Sequence, residues 1–415
     1  MPRILLVAAT TGYQTRAFAD AARRLKFDLI LATDRCHVLG DPWGDRAIPV
    51  RFEDSYASRD VIAETGSFDA VVALGDRPTL LAALVAEKLG IAHNTPSSVI
   101  ACHDKYVTRQ RFRAAGLAVP EFFRVPLAQG PASAADQAGY PCVLKPLGLS
   151  GSRGVIRAND RSEFLAAFER IGAILESTDV LVLQEDQNRY IQVETFIDGS
   201  EFALEGLLTG GKLQVLAIFD KPDPLNGPFF EETIYVTPSR AGAATEQALI
   251  TAVEKACNAL GLSHGPVHAE MRFNSKGVWV LEVAARPIGG LCARALRFDG
   301  DMPLEELILR HAVGEDVSGV RRSQPASGVM MIPIPTAGIY QGVSGVERAR
   351  VVADIEDVIV TAKEGQKILR LPEGASYLGF IFARSGTPEK VESALREAHR
   401  YLEFDIATAL PVVRR

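Results

Sequence analysis

Glu270 and Glu282 stand in two short alternating runs, Val267-His268-Ala269-Glu270-Met271-Arg272-Phe273 and Val278-Trp279-Val280-Leu281-Glu282-Val283, with Asn274-Ser275-Lys276-Gly277 between them. Alternation marks half-buried strands, and the Gly-ended spacer marks a hairpin. With a loop of Ser275, Lys276 and Gly277, position 270 falls opposite position 282 on one face. Like charges placed so weaken a sheet unless a cation lies between them. Two oxygen ligands facing phosphates suit magnesium, with manganese as a substitute. The alternative is a pair of solvated strand carboxylates.

A second group of residues suits an anion. Tyr140-Pro141-Cys142-Val143-Leu144-Lys145-Pro146 reads as a strand ending in a lysine, and the segment 147–155 that follows holds Gly148, Ser150, Gly151, Ser152 and Gly154. A fixed ammonium beside backbone N–H groups that can approach oxygen is what phosphate needs. The lysine precedes the glycines, so this is not a Walker loop, and a plain surface turn is the competing reading. Downstream, Val193 to Phe202 places the Ile197 N–H and a carbonyl near Glu194 against an adenine edge, and leaves Glu201 free to accept from a ribose. An ordinary hairpin has the same pattern.

His268 and Arg272 share the Glu270 face by period two. His268 either contacts the reacting group or guides a proton, or is a hydrogen-bonded strand histidine; Arg272 suits a carboxylate partner. Gly289-Gly290 either admits a substrate carboxylate to backbone amides or only turns the chain. Glu205 and Glu232 are candidate partners for a substrate ammonium, with solvated acids as the default. Thr10-Thr11-Gly12 is a weak phosphate signal at a strand-to-helix turn.

These residues need a scaffold of enzyme size. A chain of 415 residues exceeds one ordinary core, and 47% hydrophobic with 23% charged residues reads as a soluble globular protein. The net charge of -6, with acids and bases interspersed, offers no basic stripe for nucleic acid. Ile4 to Ala9 is too short for a secretory signal, and no segment is long enough to span a bilayer. Cys36, Cys102, Cys142, Cys257 and Cys292 show no C-x-x-C spacing and the histidines no ligand spacing, which fits a reducing cytoplasm without a zinc site.

Strands over 4–9, 29–32 and 70–74 alternate with helices over 16–25 and 78–89, predicting a parallel α/β layer to about residue 100. A break at Asn94-Thr95-Pro96-Ser97 precedes a helical stretch over 104–115. Asp160 with Glu163 predicts a capping box for a helix over 162–171, and apolar spacing predicts another over 244–260. Strands are expected over 329–334, 358–361 and 377–383, then a helix capped by Thr387 with Pro388 at its first position. The expected parts are 1–100, 101–310 and 311–415.

Taken in order, Asp104-Lys105, Lys145-Pro146 with its Gly/Ser loop, Glu194 to Glu201, and His268-Ala269-Glu270 with Glu282-Val283-Ala284-Ala285-Arg286 resemble the ATP-grasp superfamily. Asp220-Lys221-Pro222, Phe229-Phe230-Glu231-Glu232-Thr233 and Leu378 to Arg384 make the chain most similar to its dipeptide-forming L-amino acid ligases. The resemblance implies an α/β and α+β ATP-grasp fold: an N-terminal parallel layer, a two-lobed ATP-binding region and a C-terminal α+β domain.

The resemblance also implies roles. Lys105 and Lys145 hold ATP phosphates under the loop with Gly151, Ser152 and Gly154, while Glu194 and Ile197 meet adenine through the backbone and Glu201 takes the ribose. Glu270 and Glu282 ligate magnesium, Arg286 steadies the transferred phosphoryl, and His268 attends the acyl phosphate. Where the family commonly carries a metal-binding Asn, this chain has Ala284, which places a second magnesium in question. The implied reaction joins a small carboxylate to an amine and needs no protein nucleophile, in keeping with the lack of any Ser/His/Asp or Cys/His set. A bicarbonate-using carboxylase of the biotin or purine type and a nucleotide-binding protein without turnover are the alternatives; a homodimer is the default assembly.

Overall fold

The computed structural model describes residues 1–9, 14–34 and 47–408. Near-continuous apolar runs make parallel strands that must be covered on both faces. β1 (Arg3–Ala8), β2 (Asp28–Thr33), β3 (Ile48–Pro49) and β4 (Ala70–Leu74) lie in the order β3-β2-β1-β4, all parallel. Ile4 and Leu6 join Phe18 of α1 (Thr15–Leu25) in one core. Leu5 and Val7 join Ile62 of α2 (Ser55–Glu64) and Leu81 of α3 (Asp76–Leu89) in another. Thr10-Thr11-Gly12 and Cys36 lie outside the described residues.

The expected break at 94–97 is a helix start instead. Thr95 accepts from the Ser98 N–H and Pro96 opens α4 (Pro96–His103). Asp104 then caps α5 (Lys105–Ala114), accepting from the N–H groups of Tyr106 and Val107. Lys105 and Arg109, four apart, therefore share one face of α5.

β5 (Phe122–Pro126), β6 (Cys142–Pro146), β7 (Ile156–Ala158) and β8 (Tyr190–Thr195) form an antiparallel sheet in the order β5-β8-β6-β7. It packs on α6 (Ala132–Gln137), α7 (Arg161–Leu175) and α8 (Thr178–Leu181) through Phe164, Phe168, Ile171 and Val180. The capping box is offset by one residue. Asp160 accepts from the Glu163 N–H at 2.9 Å, but Glu163 accepts from Asn159 at 2.7 Å.

The remaining chain supplies β9 (Ser200–Thr209), β10 (Lys212–Lys221), β11 (Ile234–Thr237), α9 (Ala243–Leu260), β12 (His264–Asn274) and β13 (Gly277–Ala284). After a ribbon of β14 (Arg297–Phe298) and β15 (Met302–Pro303) come α10 (Leu304–Ala312), β16 (Ala326–Ile332), β17 (Gly338–Ser344), α11 (Val346–Arg350) and β18 (Ile355–Val360). β19 (Lys367–Ile368), β20 (Gly379–Ser385), α12 (Pro388–Arg400) and β21 (Glu403–Ala407) end the described chain. An antiparallel sheet runs β13-β12-β9-β10-β11-β16-β20-β18, so the expected boundary near residue 311 does not separate two sheets. β11 pairs directly with β16 because both carry apolar residues that α12 covers with Val391 and Leu395. No helix among the described residues is long and apolar enough to cross a membrane.

Three histidines meet where the N-terminal layer joins this sheet. His264 and His311 rings lie 4.7 Å apart, and His311 bonds Thr209 at 2.8 Å. Burial, with His264 nearby, pushes His93 and His311 down to about 4, and burial lowers His264 too. Groups held neutral in the fold take up protons on unfolding. Their stabilisation is therefore present above the unfolded value near 6.5 and lost as pH falls toward 4. Unfolding stability in urea should fall by on the order of 3 kcal/mol for each of His93 and His311 across that window, and His93→Leu should remove about half of that loss; equal slopes for both proteins would contradict this.

Candidate active site

Glu270 and Glu282 do stand opposite each other, by a route the sequence reading did not anticipate. Asn274 pairs with Gly277, so the loop is Ser275-Lys276 alone. That loop by itself would set position 281 opposite 270; a bulge beside Met271 leaves Leu281 over and restores the Glu270 to Glu282 pairing. Both carboxylates line one cleft of about 310 Å³.

Strand register builds the rest of this sheet face. His268 pairs with Glu205, Glu270 with Ala203 and Arg272 with Glu201 across β12 and β9, and Glu201 pairs in turn with Lys221 across β9 and β10. The other face carries Val267, Ala269, Met271, Phe202 and Leu204 against α9. The result is a polar floor in which charges alternate in sign. His268 Nδ1 lies 3.0 Å from Glu205 and Nε2 3.4 Å from Glu270. Burial opposes the imidazolium, but these two carboxylates raise His268 to about 9. Its ion-pair stabilisation is thus complete below the unfolded value near 6.5 and lost as pH rises through 9.

Glu201 is not the free acceptor expected for a ribose. Lys221 Nζ lies 2.9 Å from one oxygen and Arg272 Nε 2.9 Å from the other, because the pairing puts a cation on each side of it. Lys221 also donates to Glu232 and lies 3.4 Å from Glu270. Burial disfavours its charge, yet the three acids hold it well above its ordinary value. Burial and the charge on Glu270 push Glu232 up, while Lys221 and His268 overcome burial and pull Glu270 down. Glu201, Glu232 and Glu270 converge as a metal site would, but the Lys221 ammonium fills their centre.

Across the cleft, Lys145 is buried at the end of β6 with Nζ 2.6 Å from Glu194. Burial lowers Lys145 to about 8 against the pull of Glu194. Glu194 sits in the inner strand β8, paired with Phe122 on one side and Val143 on the other, so its backbone belongs to the sheet rather than to an adenine edge. Burial would raise its carboxyl, but Arg109 and Lys145 hold it at about 2. The Ile197 carbonyl is taken by Arg272 at 2.5 Å, while Ile197 itself lines the cleft.

The loop after Lys145 turns through left-handed backbone at Gly151 (φ 64°), Ser152 (φ 55°) and Gly154 (φ 74°). At Gly154 a Cβ would fall 2.7 Å from Pro146, so glycine is required for the loop to close on its strand. Lys105 Nζ donates to the Leu149 carbonyl at 2.8 Å and lies 3.8 Å from Glu282, so it joins loop to carboxylate. The C-terminal segment holds the loop from outside: the Gly154 N–H donates to Pro372 at 2.9 Å.

Arg286 reaches the cleft already paired to an acid. It grips Asp76 of α3 through two bonds, 2.8 and 3.2 Å, because the end of β13 runs against the N-terminal layer; it still lines the cleft. Burial would raise Asp76, but Arg286 holds it at about 2. Lys221, Arg109, Tyr235, Asp76 and Tyr377 were missed as site residues. Only Lys221 had a signal, as part of Asp220-Lys221-Pro222; the others reach the site through tertiary contacts that no local spacing encodes.

Two hard oxygen donors side by side fit a small divalent cation. The nearest cations leave them capacity: Glu270 meets His268 and Lys221 only at 3.4 Å, and Glu282 meets Lys105 at 3.8 Å. Ala284 pairs with His268 and is buried, offering no ligand there.

The family model for an ATP-grasp domain matches residues 138–295, and that for L-amino acid ligase C-terminal domain 2 matches residues 330–407. The crystal structure of an L-amino acid ligase from Bacillus licheniformis superposes with a TM-score of 0.80 at 26% identity, covering 98% of this chain and 99% of that one. An alanine–anticapsin ligase of Bacillus subtilis is 26% identical over 55% of this chain and 50% of its own length. The dapdiamide A synthase of Enterobacter agglomerans is 32% identical over 38% of this chain and 35% of its own. The matched stretch thus spans half or less of these two curated relatives. The chain is an ATP-grasp enzyme of the carbon–nitrogen ligase class. Its C-terminal residues match the L-amino acid ligase C-terminal domain, and its fold matches that of the Bacillus licheniformis ligase over nearly the whole of both chains.

Proposed function

We propose that the protein joins an amino acid, as carboxylate, to an amine at the expense of ATP, releasing ADP and phosphate. The observation that carries this reading is the pair Glu270 and Glu282 facing each other in the same cleft as Lys105, Lys145 and the Gly151 to Gly154 loop. A carboxylate is a poor electrophile until its oxygen has taken the γ-phosphoryl group; the acyl phosphate then yields to an amine. Lys105 and Lys145 would hold phosphate oxygens. Glu270 and Glu282 would hold magnesium, which when bound neutralises charge on the β- and γ-phosphates. Ile197 would border the adenine. Imidazolium His268, with Nε2 3.4 Å from Glu270, would keep that carboxylate oriented beside the acyl phosphate.

Arg286, in this reading, steadies the phosphoryl end from its seat on Asp76. Glu232, with Tyr235 donating to it at 2.9 Å, would meet the substrate ammonium. A phosphate-release screen of amino-acid pairs with ATP and magnesium, with mass spectrometry of products, tests this. Phosphate and a dipeptide in equal amounts are expected; bicarbonate-dependent release without any amino acid would favour a carboxylase instead.

A further inference from the structure

We propose that Arg109 is a positioning residue that aligns the phosphate-facing lysine with the metal-binding carboxylates; this rests on the site roles proposed above. Arg109 is 1% exposed, in a position where a side chain needed only for packing would be apolar. Its guanidinium makes three directed contacts. Nε and Nη2 donate to the two oxygens of Glu194 at 2.6 and 3.3 Å, and Nη1 donates to the Val280 carbonyl at 3.0 Å.

Each contact governs one half of the site. Glu194 is the carboxylate that holds Lys145, so the first arm fixes where that ammonium stands. Val280 directly precedes the unpaired Leu281, whose bulge brings Glu282 opposite Glu270. Among the described residues β13 is the edge strand of its sheet, with no further strand beyond it to hold the bulge in register. The second arm supplies that hold. Arg109 rises from α5 one turn after Lys105, which itself reaches Leu149 and Glu282, so a single helix face spans phosphate loop, lysine and carboxylate hairpin. A lysine could keep the charge but not the forked geometry that serves both arms.

The test is calorimetric binding of a nonhydrolysable ATP analogue at several magnesium concentrations, comparing the full-length protein with Arg109→Lys and Glu194→Gln. Arg109→Lys is expected to weaken binding at least tenfold and to flatten its dependence on magnesium, because Glu282 leaves register. Glu194→Gln is expected to weaken binding while keeping the magnesium dependence, because the Val280 arm is intact. Wild-type affinity in Arg109→Lys, or a loss equal at every magnesium concentration as a loosened fold would give, overturns the proposal. If Arg109→Lys does not fold, Glu194→Gln decides: unchanged affinity overturns it. The assay involves no turnover, so failure of every amino-acid pair to react would count against the ligase reading alone.

Discussion

Alanine at position 282 is expected to cut ATP-dependent product formation by roughly a hundredfold or more, the usual cost of removing one contact to developing charge. Folding should be almost untouched. The Glu282 side chain is 32% exposed and its nearest cation, Lys105, is 3.8 Å away, so stability should change by less than about 0.5 kcal/mol. Loss of a like charge opposite Glu270 offsets part of even that. Initial rates and urea unfolding measured on the same preparation check both halves. Full activity would remove Glu282 from the site.

Lys221→Met should do the opposite, acting on the fold first. Its ammonium is 2% exposed and lies among Glu201, Glu232 and Glu270, so removing it leaves three acids facing one another without their shared cation. Deleting one partner of a buried ionic cluster commonly costs about 3 to 5 kcal/mol. The deficit should shrink in mildly acidic buffer. Glu232 is already pushed up by burial and by Glu270, so it can take a proton and relieve the repulsion. Urea unfolding at neutral and mildly acidic pH measures this; a loss under about 1 kcal/mol at neutral pH would show that the acids do not depend on Lys221.

What the sequence disclosed follows from how each feature is encoded. Strand alternation placed His268, Glu270 and Arg272 on one face, and helix spacing located α9 and α12, because those periods are local. The hairpin register was predicted correctly from an incorrect loop: a two-residue turn plus a bulge equals a three-residue turn in its effect on position 282, and alternation cannot tell them apart. The ion-pair partners of Glu201 and Arg286 were not legible, because they come from β10, β12 and α3, distant in the chain. Arg109 gave no signal at all, since a lone arginine in a polar helix resembles any solvated one. Thr95-Pro96 read as a break because the same residues that interrupt a pattern also cap a helix.

The most direct measurement is a crystal structure with manganese and a nonhydrolysable ATP analogue, with the ion located by its anomalous signal. The ion is expected within about 2.3 Å of oxygens from both Glu270 and Glu282 and from the analogue's phosphates. An ion seated among Glu201, Glu232 and Glu270 with Lys221 displaced, or phosphates bound away from the hairpin, would contradict the account.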